Sequence, residues 1–421
     1  MASDNECPTL YYCVTQARCR LCQFALVGGQ LVVADASTPY LATDDNKVSC
    51  KFPFQKHTTF YDHEIDIKFH MCMRRECMFR DKPTVLFHGH CYAFRVHLVT
   101  PKFLAATQYA FAPSVAEERR RADHIQKALA LNLQRALVWP RRLPHELWLM
   151  VAEPLAQACA TLTAQEQVQD SVDVDDCTLD LTQSVYASYV KIDGRCYVKS
   201  LQNTPGVSGG KGKYLLQPAQ DPKEEGNNMF AAEDHLGIRQ VVFVPPKGCL
   251  EWCRNHPAVL GTWWRHISYK AIPSAVVFRS DGLKMRNVES PQTDSLGLIG
   301  WQAPVHSPPP VIDLLTLERP QQYPDGLRMR FCDLNTADVV GYSVATDGAR
   351  ILAILSHKQN DQPDSALYED VNAGICHWMY MPMNEGEYLT DICRRAGCFI
   401  IQTQVVGITV MKILPSLLGF N

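Results

Sequence analysis

The sequence has 421 residues, of which 46% are hydrophobic and 20% are charged, and its formal net charge is −3. This length allows two or three domains, and a charge so close to zero excludes a general attraction to nucleic acid or membranes. No apolar run of about 18 residues predicts a spanning helix, and the first residues do not resemble a secretion signal. We therefore expect a reducing compartment, the cytoplasm or nucleus, in which the 17 cysteines favour metal binding over disulfides.

The first 100 residues are rich in cysteine and histidine, and they predict a small strand-rich module held together by a metal. Two close pairs of potential ligands occur, one Cys-x2-Cys and one His-x2-Cys. Structural zinc takes four nitrogen or sulfur ligands in a tetrahedron, usually as two such pairs. The spacing therefore predicts one zinc site formed by Cys19, Cys22, His88 and Cys91, in which His90 could replace His88.

A second, weaker zinc site can be drawn from the side chains between these pairs, namely His63, His70, Cys72 and Cys77. The alternative for both sets is that the thiols are small buried hydrophobic side chains. The sequence contains no His-Glu-x-x-His pattern, so we expect the zinc to be structural. We also assign no nucleophile elbow and no cofactor loop, and we predict that the protein is not an enzyme.

Residues 101–160 predict a helical segment. Ser114 and Glu117 form a capping box, from which a helix should run to about Leu137. A shorter helix should follow from Pro144, a residue that fits the first helical position. Pro154 should end this second helix near Glu153, because the residue before a proline disfavours the helical conformation.

The short helix carries an apolar stripe. Leu147, Val151 and Leu155 recur every four residues and therefore share one face. This stretch resembles the opening of an F-box, the module that binds a protein to the Skp1 adaptor of a cullin ubiquitin ligase. The resemblance covers about the first third of that module and is carried by Leu143, Pro144, Glu146, Leu147, Val151 and Leu155. We predict that the partner-binding residues are Leu143, Pro144, Leu147, Trp148, Val151 and Leu155. The alternative is an ordinary amphipathic helix packed inside its own domain.

The chain after this helix is acidic. Residues 143–184 contain eight acidic residues and no lysine or arginine. The acidic, β-branched run that begins at Thr161 does not have the pattern of the two further helices that an F-box contains. We therefore predict an acidic linker over residues 161–184.

The remaining sequence predicts a mainly antiparallel β domain over residues 185–300 and its continuation over 327–421, joined by a proline-rich linker over 301–326. Asp-Gly pairs between β-rich runs are typical of hairpins, and they occur at Asp193, Asp281 and Asp347. The predicted fold class is therefore α+β: a small zinc-stapled N-terminal module, a short helical F-box-like segment and a mainly antiparallel β C-terminal domain.

Taken whole, the chain is similar to a large group of uncharacterised fungal F-box-like proteins. The residues that carry this resemblance are the four predicted zinc ligands and the segments 143–155, 189–194, 234–240, 280–284 and 378–382. The resemblance implies a non-catalytic adaptor that binds a Skp1-like protein and an unknown protein substrate, with no nucleic acid or membrane partner. The alternative is a protein with a structural zinc and no role in ubiquitin transfer, whose β domain binds a carbohydrate or peptide on Trp263, Trp264 or Trp378.

Overall fold

A computed structural model gives the architecture of the chain. It describes residues 10–36, 47–71, 83–94, 99–136, 143–170, 175–205, 213–216, 227–256, 258–267, 275–289, 299–306, 328–332, 334–346, 351–359, 368, 371, 376–395, 398–403 and 409–411. These residues form a mixed structure with mostly antiparallel sheets and few helices, and with a Cys/His cluster near the N-terminus. The predicted α+β fold class is therefore confirmed.

The helices are α1 (Gly89–Ala93), α2 (Pro101–Ala106), α3 (Val115–Arg135), α4 (His145–Ala152), a 3₁₀ turn (Glu153–Leu155), α5 (Ala156–Gln169) and α6 (Cys249–Arg254). The first twelve strands are β1 (Leu10–Cys19), β2 (Leu31–Asp35), β3 (Phe52–Pro53), β4 (Thr59–Asp62), β5 (Ile67–His70), β6 (Pro83–His88), β7 (Cys177–Asp180), β8 (Val185–Ile192), β9 (Arg195–Gln202), β10 (Lys213–Leu216), β11 (Asn228–Asp234) and β12 (Gly237–Val244). The others are β13 (Trp263–Ile267), β14 (Ala275–Ser280), β15 (Met285–Glu289), β16 (Gly300–Trp301), β17 (Arg328–Met329), β18 (Val339–Thr346), β19 (Ile351–Lys358), β20 (His377–Pro382), β21 (Leu389–Arg395), β22 (Cys398–Thr403) and β23 (Thr409–Met411).

The chain divides into two compact units, each assembled from several segments. Unit 1 comprises residues 1–111, 120–243 and 268–293, and unit 2 comprises residues 112–119, 244–267 and 294–421. The segments predicted as the zinc module and the helical region fall mainly in unit 1. The β-rich segment 185–300 contributes strands to both units.

A six-stranded sheet with the order β3-β2-β6-β1-β5-β4 forms the N-terminal part of unit 1. Its central strand β1 is parallel to both β5 and β6, whereas the outer pairs are antiparallel. Aromatic rings fill one end of its core, where Phe52 stacks on Phe60 with ring centroids 4.0 Å apart. Side chains from α2, α3, α5 and the β8–β9 hairpin join this same core, which is the main hydrophobic cluster of unit 1.

The predicted hairpins of unit 1 are confirmed. Strands β8 and β9 pair antiparallel around Asp193 and Gly194, both of which have positive φ angles, 46° and 79°. Two successive residues with positive φ are the requirement of a type I′ turn, which explains the Asp-Gly pair. Strands β14 and β15 pair antiparallel on either side of Asp281 and Gly282, and β7 completes their sheet.

Unit 2 contains short antiparallel sheets. Strand β18 lies between β19 and β20, and β22 lies between β21 and β23. The antiparallel pairing of β18 with β19 confirms the third predicted hairpin, although its turn at Asp347 lies outside the described residues. Strand β13 pairs antiparallel with β16, and β16 pairs in parallel with β17. Most of the predicted proline-rich linker also lies outside the described part of the chain.

The helical region agrees with the prediction at its start and differs at its end. Helix α3 begins after Ser114, whose hydroxyl oxygen accepts a hydrogen bond from the backbone N–H of Glu117 at 3.1 Å. Helix α4 begins at His145, one residue later than predicted, and ends at Ala152. Pro154 lies in the 3₁₀ turn, where it cannot donate the backbone hydrogen bond that would continue α4.

The predicted acidic linker over 161–184 is wrong in its first half, because α5 continues to Gln169. Alanine and glutamine, which favour helices, make up much of α5 and outweigh its threonines. Ala160, Thr161, Gln165 and Val168 are buried, so tertiary packing also stabilises the helix. Strand β7 occupies residues 177–180 of the same predicted linker.

A buried ion pair joins the β14–β15 hairpin to α2. The Lys284 ammonium is fully buried, and it donates hydrogen bonds to the Asp281 carboxylate at 2.7 Å and to the backbone oxygen of Ala106 at 2.9 Å. Burial lowers the pKa of Lys284 to about 8, against the opposing influence of Asp281. Arg286 lies beside the same carboxylate and donates to the backbone oxygen of Leu236. Segments 234–240 and 280–284 therefore meet in one polar network.

We expect Lys284→Met to lower the free energy of unfolding by about 3 kcal/mol, because it leaves a buried carboxylate without its principal cation. Urea denaturation followed by circular dichroism measures this change. Lys127→Met is the matched control, since Lys127 is exposed on α3, and it should change stability by less than about 0.5 kcal/mol. Equal stability of the two variants would contradict a structural role for the ion pair.

Candidate metal centre and exposed helical face

Parallel pairing of β1 and β6 brings the two predicted ligand pairs together. Cys19 ends β1 and is in register with Leu86 of β6, so the carboxyl ends of both strands lie side by side. Cys22 follows in the turn after β1. His88 ends β6, and Cys91 lies in α1 immediately after it. The two ligand pairs are therefore neighbours in the fold, although 65 residues separate them in the sequence.

The four ligand atoms form a compact, buried cluster. All lie within 4.8 Å of one another, and none of the four residues is more than 3% exposed. The Nδ1 atom of His88 lies 3.3 Å from the Cys22 sulfur and 3.8 Å from the Cys91 sulfur. The backbone N–H of His88 donates to the Cys19 sulfur at 3.3 Å. This cluster could hold a metal ion.

The thiols influence one another's ionisation strongly. Burial opposes a charge on Cys19, but hydrogen bonds from Cys22, Cys91 and His88 outweigh it and hold the pKa of Cys19 well below its usual range. Burial, followed by the interaction with Cys19, raises the pKa of Cys22. The hydrogen bond with Cys19 raises the pKa of Cys91 to about 12. Without a cation the site therefore favours one thiolate, and a bound metal ion would be needed to ionise the other two thiols.

The structure places His88 in the cluster and His90 outside it. The ring of His90 stacks on that of His88, with centroids 5.1 Å apart, and its Nε2 contacts the Gln157 side-chain oxygen. Of the second predicted site, Cys72 and Cys77 lie outside the described residues. His63 is exposed, and His70 contacts the Thr59 hydroxyl at 2.8 Å.

Arg121 of α3 fixes the loop that carries Cys22. It donates to the backbone oxygen of Cys22 at 2.9 Å and to the Asp193 carboxylate at 2.7 Å, and its guanidinium lies 4.8 Å from the centre of the Phe24 ring. The sequence analysis did not identify this residue. Arg121 precedes the buried Ile125 by four residues and therefore lies on the same helical face. This spacing is the sequence signal that could have indicated that Arg121 is buried.

Helix α5 contacts the same module at two points. Gln157 bonds the His90 ring, and the buried hydroxyl of Thr161 contacts the Cys91 sulfur. The metal cluster and the helical region are therefore parts of one packed structure within unit 1.

The inner face of α4 packs against α3. Trp148 is 1% exposed and lies with Ala130 and Ala152 in a small cluster, against which half-buried Leu143 also packs. The amide of Gln126 donates to the backbone oxygen of Leu149 at 2.9 Å. Trp148 was predicted to bind a partner, but the structure buries its side chain between α4 and α3 and leaves almost none of its surface accessible.

The outer face of α4 is apolar and exposed. Leu147 is 42% exposed, Met150 66%, Val151 42% and Leu155 44%. We refer to these four residues as the docking face. Pro144 is also exposed at the start of the helix. An exposed set of large apolar side chains at helical spacing indicates an interaction surface.

The helical segment His145–Gln169 is long and apolar enough, by length and composition, to cross a membrane, and it is the one such helix among the described residues. The sequence analysis expected none. Helices of soluble proteins meet the same criterion, and this segment contains Glu146, Glu153 and Glu166. It is also interrupted by the 3₁₀ turn at Pro154.

Comparisons with protein-family models, with curated proteins and with solved structures returned no match for this chain.

We expect the purified protein to contain about one metal ion per chain, held by the four clustered ligands. His88→Ala should reduce the metal content to near zero, whereas His90→Ala should leave it unchanged, because only the first ring lies among the thiols. Cys19→Ser combined with Cys22→Ser should also remove the metal, and the exposed Cys50→Ser and Cys196→Ser are its controls. Elemental analysis measures each content. Metal loss in the His90 variant would contradict the assignment.

Proposed function

We propose that the protein is a non-catalytic adaptor of a Skp1–cullin ubiquitin ligase, in the cytoplasm or nucleus, and that its docking face binds a Skp1-like protein. The observation that carries this proposal is the orientation of α4. Its tryptophan attaches the helix to the protein, while Leu147, Val151 and Leu155 remain exposed. A helix held from one side presents its opposite face to a groove in a partner.

The helix that follows supports the same proposal. An F-box continues after its first helix, and the sequence alone gave no sign of such a continuation. The presence of α5 directly after the 3₁₀ turn supplies one further helix. A helix at this position is what the proposed F-box-like region would require after the 13 residues that carry the sequence resemblance.

We propose that the metal is zinc and that its role is structural. Zinc lies about 2.3 Å from sulfur and about 2.0 Å from nitrogen, so a tetrahedral site needs sulfur and nitrogen about 3.5 Å apart. The observed distances from His88 Nδ1 to Cys22 and Cys91, 3.3 Å and 3.8 Å, lie on either side of this value. Four protein ligands leave no open position for a substrate, and burial excludes solvent. The metal would therefore hold β1, β6 and α1 together.

The remaining β structure would bind the protein substrate.

A second candidate function is binding of a carbohydrate or peptide, which is favoured by a pocket of about 280 Å³ in unit 2 lined by Trp263, Phe331, Ile354 and others. Trp263 and Trp264 are almost fully buried, so they do not form an open platform. Trp378 is half-buried against Tyr368, with ring centroids 4.6 Å apart. Binding on a glycan array together with no binding of Skp1 would favour this second function.

We expect Leu147→Asp combined with Val151→Asp to abolish co-purification with Skp1, with a loss of affinity of more than about 100-fold, because charge enters the centre of the interface. The two side chains are exposed, so the fold should persist in circular dichroism. Leu250→Asp combined with Val259→Asp is the matched control, since both residues are exposed and apolar but belong to unit 2. Unchanged Skp1 binding by the first double variant would contradict the proposed function.

We expect elemental analysis to identify the metal as zinc, and chelation to lower the thermal midpoint of unfolding. Chelation removes the link that the ion would make between the ends of β1 and β6, and it leaves the Cys19 thiolate buried without a metal cation. Circular dichroism before and after re-addition of zinc measures the effect and its reversal. A midpoint unchanged by complete zinc removal would show that the cluster does not stabilise the fold.

A further inference from the structure

The apolar surface continues from α4 onto α5. Leu162 is 37% exposed and follows Leu155 by seven residues, which is two helical turns. Residues with this spacing lie on the same side of a helix. The exposed apolar surface thus extends past the 3₁₀ turn and beyond the residues that the sequence resemblance identified.

Acidic side chains flank this surface. Glu146 precedes Met150 by four residues and Glu153 follows it by three, so both lie next to Met150 on the helix. Glu166 follows Leu162 by four residues and therefore lies next to it on α5. All three glutamates are exposed. The whole stretch 143–184 contains no lysine or arginine, so no cation from this part of the chain offsets their charge.

We propose that the docking face, Leu162 and these three glutamates form one surface, and that it fits a protein groove with an apolar floor and lysine or arginine side chains along its rim. The inference rests on the proposed function and specifies the partner of that same face. Exposed charges at the rim of an interface contribute mainly to the rate of association and to its dependence on salt. A groove with a basic rim would attract this surface before the apolar contacts form.

The same charges argue against a membrane as the partner. Cytoplasmic membrane surfaces carry a negative potential that attracts lysine and arginine. A helical surface that is flanked by glutamates and has no basic residues would be repelled by this negative potential. Amphipathic helices that bind such membranes are typically rich in lysine and arginine on their polar face. A partner protein with positive rim charges therefore suits the surface better.

The test uses the full-length chain and purified Skp1, with association rates measured by surface plasmon resonance at several salt concentrations. We expect the association rate constant of the unaltered chain to fall about tenfold between about 0.02 M and about 0.5 M NaCl. Glu146→Lys combined with Glu153→Lys should slow association about tenfold at the lowest salt and should remove most of the salt dependence. Glu251→Lys combined with Glu385→Lys is the matched control, with the same change in charge at exposed sites of unit 2.

The outcomes distinguish this inference from the proposed function. If Leu147→Asp with Val151→Asp abolishes binding but salt and glutamate reversal have no effect, the basic rim is wrong and the adaptor function stands. If the reversal variant and its control slow association equally, net charge is responsible and the inference is overturned. Binding of the chain to neutral phosphatidylcholine vesicles with no binding to Skp1 would overturn both.

Leu162→Asp should weaken Skp1 binding at least tenfold, and full affinity in this variant would exclude α5 from the surface.

Discussion

The parallel pairing of β1 with β6 is the contact on which the rest of unit 1 depends. It places the ends of two strands side by side although their ligand pairs are far apart in sequence, and it thereby forms a buried cluster of three thiols and one imidazole. Parallel strands cannot be joined by a tight turn, so nothing local in the chain stabilises this pairing. A metal ion bound across the two strand ends would add a link to the backbone pairing of β1 with β6.

Side chains of two helices also contact the cluster and the residues beside it. Arg121 connects α3 to the loop of Cys22, and Thr161 and Gln157 connect α5 to Cys91 and His90. Trp148 in turn connects α4 to α3. A series of short contacts therefore runs from the proposed zinc site to the helix whose outer face is exposed, and the metal would contribute to partner binding only by holding this framework in place.

Several features were predictable from sequence because they depend on short-range rules. The Asp-Gly turns require positive φ angles, the Ser114 cap satisfies a free backbone N–H, and paired cysteines indicate metal ligands wherever the chain brings them together. Helix α5 was missed because its threonines and the acidic run after it suggested a linker, whereas packing of Ala160, Gln165 and Val168 decided the outcome. The burial of Trp148 was missed for a related reason, since periodicity shows that a helix has an apolar side but does not show which part of it packs internally.

The 3₁₀ turn at Pro154 separates two helices that are attached to the protein in different ways. Helix α4 buries Trp148 and Ala152, and α5 buries a longer row of side chains. Substitutions on the outer side of α4 would therefore alter the proposed recognition with little effect on folding. A lineage could exchange those residues and acquire a different partner while the interior stays unchanged, so this short helix is the place where related chains would be expected to diverge first.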